Sequence, residues 1–257
     1  MTPNLEQIVT ALGLFGARVS AVMLFAPFFG SMTMPARVKA GLVVAIVGLL
    51  YPVCRPHVLA LPAGISEWAL VGASEFVVGA VLALALNFIF EGAQLAGQIL
   101  GLQMGLSIVN VLDPQTQVDS PVLSIFHQTI AMLIFLQLDV HHWLLRGLAK
   151  SFEYMPVGSL GNPAAITSEL WRAAGGIWLI GVQIAAPALV ATMLADVVLG
   201  FLGKASPQFP ILFVGISAKS ILGLLVTITT LAFWPTFLER HFATAIVLGE
   251  RTLRLAR

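Results

Sequence analysis

The chain alternates long apolar runs with short polar or proline-bearing breaks. Apolar residues fill positions 5–29, 38–53, 68–90, 121–138, 173–195 and 214–238, and an α-helix needs about 20 such residues to cross a bilayer. Residues 91–112 keep a helical pattern with more polar positions until Asp113-Pro114 stops it. Residues 141–152 have the pattern of a short amphipathic helix, closed by Pro156. Pro52, Pro56 and Pro62 mark one loop, Gly161-Asn162-Pro163 a second, and residues 196–210 a third. Alternating segments of about 10 residues, as a membrane barrel needs, do not recur. The pattern predicts an all-α, membrane-associated bundle of about six hydrophobic helices, at roughly 20 residues per span. Residues 1–257 read as one membrane domain with a short basic tail at 239–257, which carries Arg240, Arg251, Arg254 and Arg257.

Composition agrees. Hydrophobic residues make up 58% and charged residues 10% of the chain, against about half and about a quarter in soluble domains; the mean hydropathy is +0.96. A net charge of +1 gives no electrostatic footprint for nucleic acid. The single cysteine, Cys54, rules out an internal disulfide and a multi-cysteine metal site. Glu6 stands where a signal peptide carries cations, and Arg18 interrupts the apolar run, so the first run is expected to be a retained helix. No Lys or Arg occurs from 56 to 145, leaving charge asymmetry silent on orientation over that stretch. The basic tail favours a cytoplasmic C-terminus.

Charges inside apolar runs carry the most information. Arg18, Glu75 and Lys219 sit within runs; Glu91, Asp196 and Lys204 sit at run ends. An ionised group at a helix centre costs about 2.5–3.5 kcal/mol on insertion scales. Two readings follow: the charges pair within the chain, Arg18 with Glu75 for example, or they line a conduit or a subunit interface. Small residues point to interfaces too. Ala93, Gly97, Gly101 and Gly105 recur every fourth residue, so another backbone can approach along that face. Glu91, Gln94 and Gln98 form a polar stripe beside it, and Gly215 and Gly223 flank Lys219 by one turn each. Ordinary packing within the chain is the alternative reading of each stripe.

Catalytic signatures are missing. Asp139, His141 and His142 are the nearest approach to a metal cluster. Adjacent histidines on a helix point to different sides, so a solvated or interfacial pair is expected there and no metal. Lys150-Ser151 and Lys219-Ser220 lack the glycine-rich loop that cradles phosphates, and G-x-S-x-G and H-E-x-x-H are absent. No enzyme activity and no cofactor are expected. Two classes remain, a small-solute transporter and a subunit of a multi-chain membrane assembly. Transporters show matching breaks in two halves; here Pro27, Pro35 and Pro52 do not map onto Pro187, Pro207 and Pro210, which favours the subunit.

The order of these marks resembles the FliR family of flagellar protein-export gate subunits, related to the T subunits of virulence-type secretion systems. The resemblance runs from Arg18 to about Glu239. It is carried by Arg18, Pro27-Phe28-Phe29-Gly30, Pro35-Ala36-Arg37, Glu75 with Gly79, and Gly97-Gln98 with Gln103. Further on come Gly105-Leu106-Ser107, Asp113-Pro114, Asp139 with His141, and Ser151-Phe152 with Pro156. Pro187, Asp196, Gly200, Ser206-Pro207-Gln208, Phe213, Gly215 and Lys219 complete it. Pro207-Gln208 and Phe213-Val214-Gly215 look more flagellar than virulence-type. Lys204 departs from the family's usual arginine and gives up its bidentate fork. Pro210, and Ser217-Ala218 before Lys219, depart as well.

The resemblance implies bent helical hairpins in a helical hetero-oligomer of the inner membrane and the flagellar basal body. There FliP and FliQ join the subunit to form the protein-conducting channel for unfolded export substrates, with FlhB and FlhA nearby. It also implies that the segment after the glycine stripe, residues 107–118 with Ser107, Asp113, Pro114 and Gln115, projects into the channel as a plug. Arg18, Glu75, Glu91, Asp196, Lys204 and Lys219 are the candidate buried or interface charges. Gly97, Gly101, Gly105, Gly215 and Gly223 are the candidate packing glycines.

Overall fold

The computed structural model describes residues 5–30, 34–54, 64–106, 122–159, 162–206, 208 and 211–255. Its regular elements are helices, with no strand among the described residues: α1 (Leu5–Phe25), α2 (Ala36–Cys54), α3 (Ile65–Gln103), α4 (Val122–Gln137), α5 (Val140–Tyr154), α6 (Pro163–Ala205), α7 (Ile211–Thr230) and α8 (Trp234–Leu255). Among the described residues, five helical stretches are long and apolar enough to cross a membrane, α7 and α8 counting as one of them (Phe213–Leu255), or six if α4 and α5 together count as one span.

Element boundaries show which local signals dominate. The runs at 68–90 and 91–112 are one helix of 39 residues, ending at Gln103. Glu91 does not divide it, because an exposed acid between helix-forming neighbours costs the backbone ladder nothing. The loop expected at 196–210 is helical as far as Ala205, and α6 passes through Pro187 to reach 43 residues. At 1.5 Å per residue such helices are about 60 Å long, roughly twice the hydrocarbon thickness of about 30 Å. The last apolar run breaks instead at Leu231–Phe233, a 3-10 turn. Pro235 has no N–H to give the Leu231 carbonyl, and the Trp234 N–H bonds that carbonyl in its place. Residues 239–255 continue α8 rather than trailing as a tail. After α1 the chain turns tightly: Phe28 has φ 72°, and the Gly30 N–H donates to the Ala26 carbonyl at 2.8 Å. A Cβ on Gly30 would collide with the Leu24 carbonyl oxygen.

The helices divide between two compact units. One comprises residues 1–88, 135–174 and 241–257; the other comprises 89–134 and 175–240. The first buries Leu14, Phe15, Val19 and Val22 of α1, Leu82 and Leu86 of α3, Leu144 and Leu148 of α5, and Phe242 and Leu253 of α8. Phe15 stacks on Phe152 with centroids 4.1 Å apart, and Tyr51 of α2 meets Phe15 edge-on at 6.0 Å. No residue of α2 itself is buried. In the second unit, glycines let helices touch. A Cβ on Gly97 would meet the Leu123 carbonyl oxygen and the Ser124 backbone nitrogen, each at 2.6 Å, and one on Gly181 would meet the Gly92 carbonyl oxygen at 3.1 Å. Small residues thus bring α3 against α4 and against α6 with little side chain between them.

Candidate functional site

Two sets of charges organise the chain, one in each unit. In the first, Arg18 of α1 and Glu75 of α3 form a salt bridge at 2.7 Å, with side chains 0% and 1% exposed. The apolar pattern around both residues turns them inward, and groups buried this deeply need a partner for every donor and acceptor. Arg18 donates from Nε to Glu75 Oε2 at 2.7 Å, from Nη1 to Ser151 Oγ at 3.1 Å, and from Nη2 to the Met155 carbonyl at 3.0 Å. The second carboxylate oxygen, Glu75 Oε1, accepts from the Gly158 backbone N–H at 2.9 Å. The guanidinium lies over the Phe152 ring at 4.3 Å, a cation–π contact. Gly79 completes the arrangement, since a Cβ there would run into the Arg18 carbonyl. Of the two readings open for these charges, pairing within the chain is the one observed.

The second set is half exposed. Lys219 of α7 donates to Asp196 Oδ1 of α6 at 2.8 Å, with side chains 17% and 44% exposed. Gln103, the last residue of α3, donates from Nε2 to Asp196 Oδ2 at 2.9 Å. One carboxylate therefore joins three helices. Beside it is a cleft of about 330 Å³ lined by Gly200, Gly203 and Gly215 together with Asp196 and Lys219. Ser220 Oγ lies 3.0 Å from the Met104 carbonyl, to which it can donate. Gly105, expected on the packing stripe, instead has φ 77° and closes α3 with a left-handed residue. Its N–H donates to the Leu102 carbonyl at 3.1 Å. Gly97 and Gly101 do belong to α3; a Cβ on Gly215 would meet Leu199 at 3.1 Å, and one on Gly223 would meet Met104.

The other candidates fall differently. Glu91, Asp196 and Lys204 are exposed in this chain rather than buried, Asp196 even while it is bonded to Lys219 and Gln103. Ser107, Asp113, Pro114 and Gln115 lie outside the described residues. Asp139, His141 and His142 converge: the two imidazoles have centroids 4.1 Å apart, where divergence was expected. They stand in the first turn of α5, after Asp139 with φ 54°, and their rings approach through side-chain orientation rather than through spacing along the helix. Sequence reasoning marked Ser151 but did not connect it to Arg18, and it missed the Met155 carbonyl and the Gly158 N–H. Those partners lie 83 to 137 positions from the residues they bind, and no local pattern encodes such distances.

Comparison with known proteins gives a consistent picture. Bacterial export proteins, family 1, match residues 9–245. The chain is similar to the flagellar biosynthetic protein FliR of Escherichia coli (strain K12), 28% identical over 226 residues, covering 88% of this chain and 86% of that protein. It is also similar to FliR of Bacillus subtilis (strain 168), 28% identical over 243 residues, covering 93% and 92%. FliR of Pectobacterium carotovorum subsp. carotovorum is 29% identical over 226 residues, covering 88% and 86%.

Proposed function

This chain belongs to the bacterial export proteins, family 1, and on that premise we propose that it forms part of the wall of a protein-conducting channel with FliP-like and FliQ-like subunits. It is a subunit of the flagellar export gate, an assignment its flagellar relatives carry; they favour neither a virulence-type subunit nor a solute transporter. FlhB-like and FlhA-like proteins adjoin the gate, unfolded export substrates pass through it, and it sits in the inner membrane at the flagellar basal body. The chain has a conduit role and no catalytic one, so energy for transport comes from its partners.

The observation that carries this reading is the Asp196 hub. Three apolar helices bring a carboxylate, an ammonium and an amide to a glycine-lined cleft that stays partly open. Facing lipid, such a group would cost a few kcal/mol; facing protein or the water of a channel, it costs far less. Gln103 is also the last helical residue before the 107–118 segment that the reading takes as a resting plug. A carboxylate bonded to Gln103 fixes the end of α3, after which that segment follows in the chain. The test is export. A strain lacking this chain should stop secreting flagellar subunits and recover when the chain is supplied. Normal secretion without it would overturn the reading.

A further inference from the structure

Asp139, His141 and His142 lie within four residues of one another, in a part of the molecule the gate reading does not use. We propose that they form a binding site for a borderline divalent transition-metal ion, zinc being the natural occupant of two imidazoles and a carboxylate.

Geometry carries the argument. His142 Nδ1 lies 3.5 Å and His141 Nε2 3.8 Å from the same oxygen, Asp139 Oδ1. Neither separation is a good hydrogen bond, which would be about 2.7–3.2 Å. Two ligands on one tetrahedral zinc, each at about 2.0–2.1 Å, stand roughly 3.4 Å apart. One ligand atom from each residue lies within 4.8 Å of the others, so a contraction through side-chain rotation brings all three onto one ion. The remaining coordination positions open to solvent, since the side chains of Asp139 and His142 are 66% and 57% exposed.

A second observation sets this apart from a chance surface cluster. Asp139 occupies the N-cap position of α5 but its side chain makes no capping hydrogen bond, although aspartate is among the best capping residues. Its backbone is held left-handed at φ 54°, a region uncommon for residues other than glycine. The carboxylate has given up its local role and faces the two imidazoles. The His141 Nδ1 is buried without a hydrogen-bond partner among the described residues. No acceptor or donor there ties up the ring, and a proton on Nδ1 leaves Nε2 free to bind metal.

The site can be tested on the full chain, purified in mild detergent with a tag that contains no histidine. Cobalt(II) serves as the spectroscopic probe and zinc(II) as the competitor. The expected result is one ion per chain, with the intense visible absorption of low-coordinate cobalt, bleached by zinc. His141→Ala and His142→Ala should each weaken binding by more than the roughly tenfold to hundredfold that loss of an outer-shell partner costs. Circular dichroism and elution volume would show that these variants remain folded. Absence of the cobalt band, or a band that survives the combined Asp139→Asn, His141→Ala, His142→Ala variant, would overturn the proposal. Export plays no part in this assay, so its failure is distinct from failure of the gate reading.

Discussion

Arg18 and Glu75, 57 residues apart in the chain, meet at 2.7 Å with essentially none of either side chain exposed. A buried pair of this kind is costly to assemble and more costly to break. The desolvation of both ions offsets much of their attraction, while losing one partner strands the other. Glu75→Ala should therefore lower stability by about 3–5 kcal/mol, and Arg18→Ala by a similar amount. The double variant Arg18→Met with Glu75→Leu should recover most of the loss. Denaturant titration of the detergent-solubilised chain checks this; a double variant no better than the singles would show that packing, not charge, is what the singles lose.

Helix contact at Gly97 gives a second prediction. A Cβ there meets backbone atoms of Leu123 and Ser124, which cannot rotate away. Gly97→Ala should cost about 1–3 kcal/mol through overpacking. Gly176 of α6 has open space where its Cβ would be, so Gly176→Ala should be neutral or stabilising by up to about 1 kcal/mol, the usual gain in helix propensity. Thermal unfolding of the two variants side by side separates them. Equal effects would mean that the α3–α4 contact at Gly97 is looser than described.

The Asp196 hub should matter more for export than for stability. Its ion pair is half exposed, and such pairs contribute roughly 0–1 kcal/mol. Lys219→Ala should shift unfolding by no more than that while sharply reducing secretion. Lys219→Arg, which keeps the charge, should restore much of it. Secretion of filament protein by complemented strains is the readout, and full secretion with Lys219→Ala would remove Asp196 and Lys219 from the gate.

Much of the architecture could be read from the apolar runs, and the amphipathic α5 was legible almost to its ends. What the runs did not reveal was continuity. Glu91 and the polar residues after Ala195 look like breaks, yet a helix is ended by a lost N–H or a left-handed residue, as at Pro235 and Gly105, and not by polarity. The charges were legible as misfits with lipid, because that argument needs only their position within a run. Their partners were not, since Ser151, the Met155 carbonyl and the Gly158 N–H reach Arg18 and Glu75 only through tertiary packing. Lys219 and Asp196 were each marked singly; their pairing depends on how α6 and α7 lie together. The approach of the two histidine rings was not legible either, since it depends on side-chain orientation and not on spacing along the helix.

A glycine-lined cleft, a half-exposed ion pair and an apolar α2 with no buried residue are the surfaces that the proposed partner subunits would cover. The most direct measurement is purification of the full chain from its native membrane in mild detergent, followed by identification of what accompanies it and in what proportion. FliP-like and FliQ-like chains should co-elute in fixed stoichiometry and persist through salt washing, with Lys219→Glu releasing them. Recovery of this chain alone, as a stable monomer that remains so when those subunits are overproduced beside it, would contradict the account.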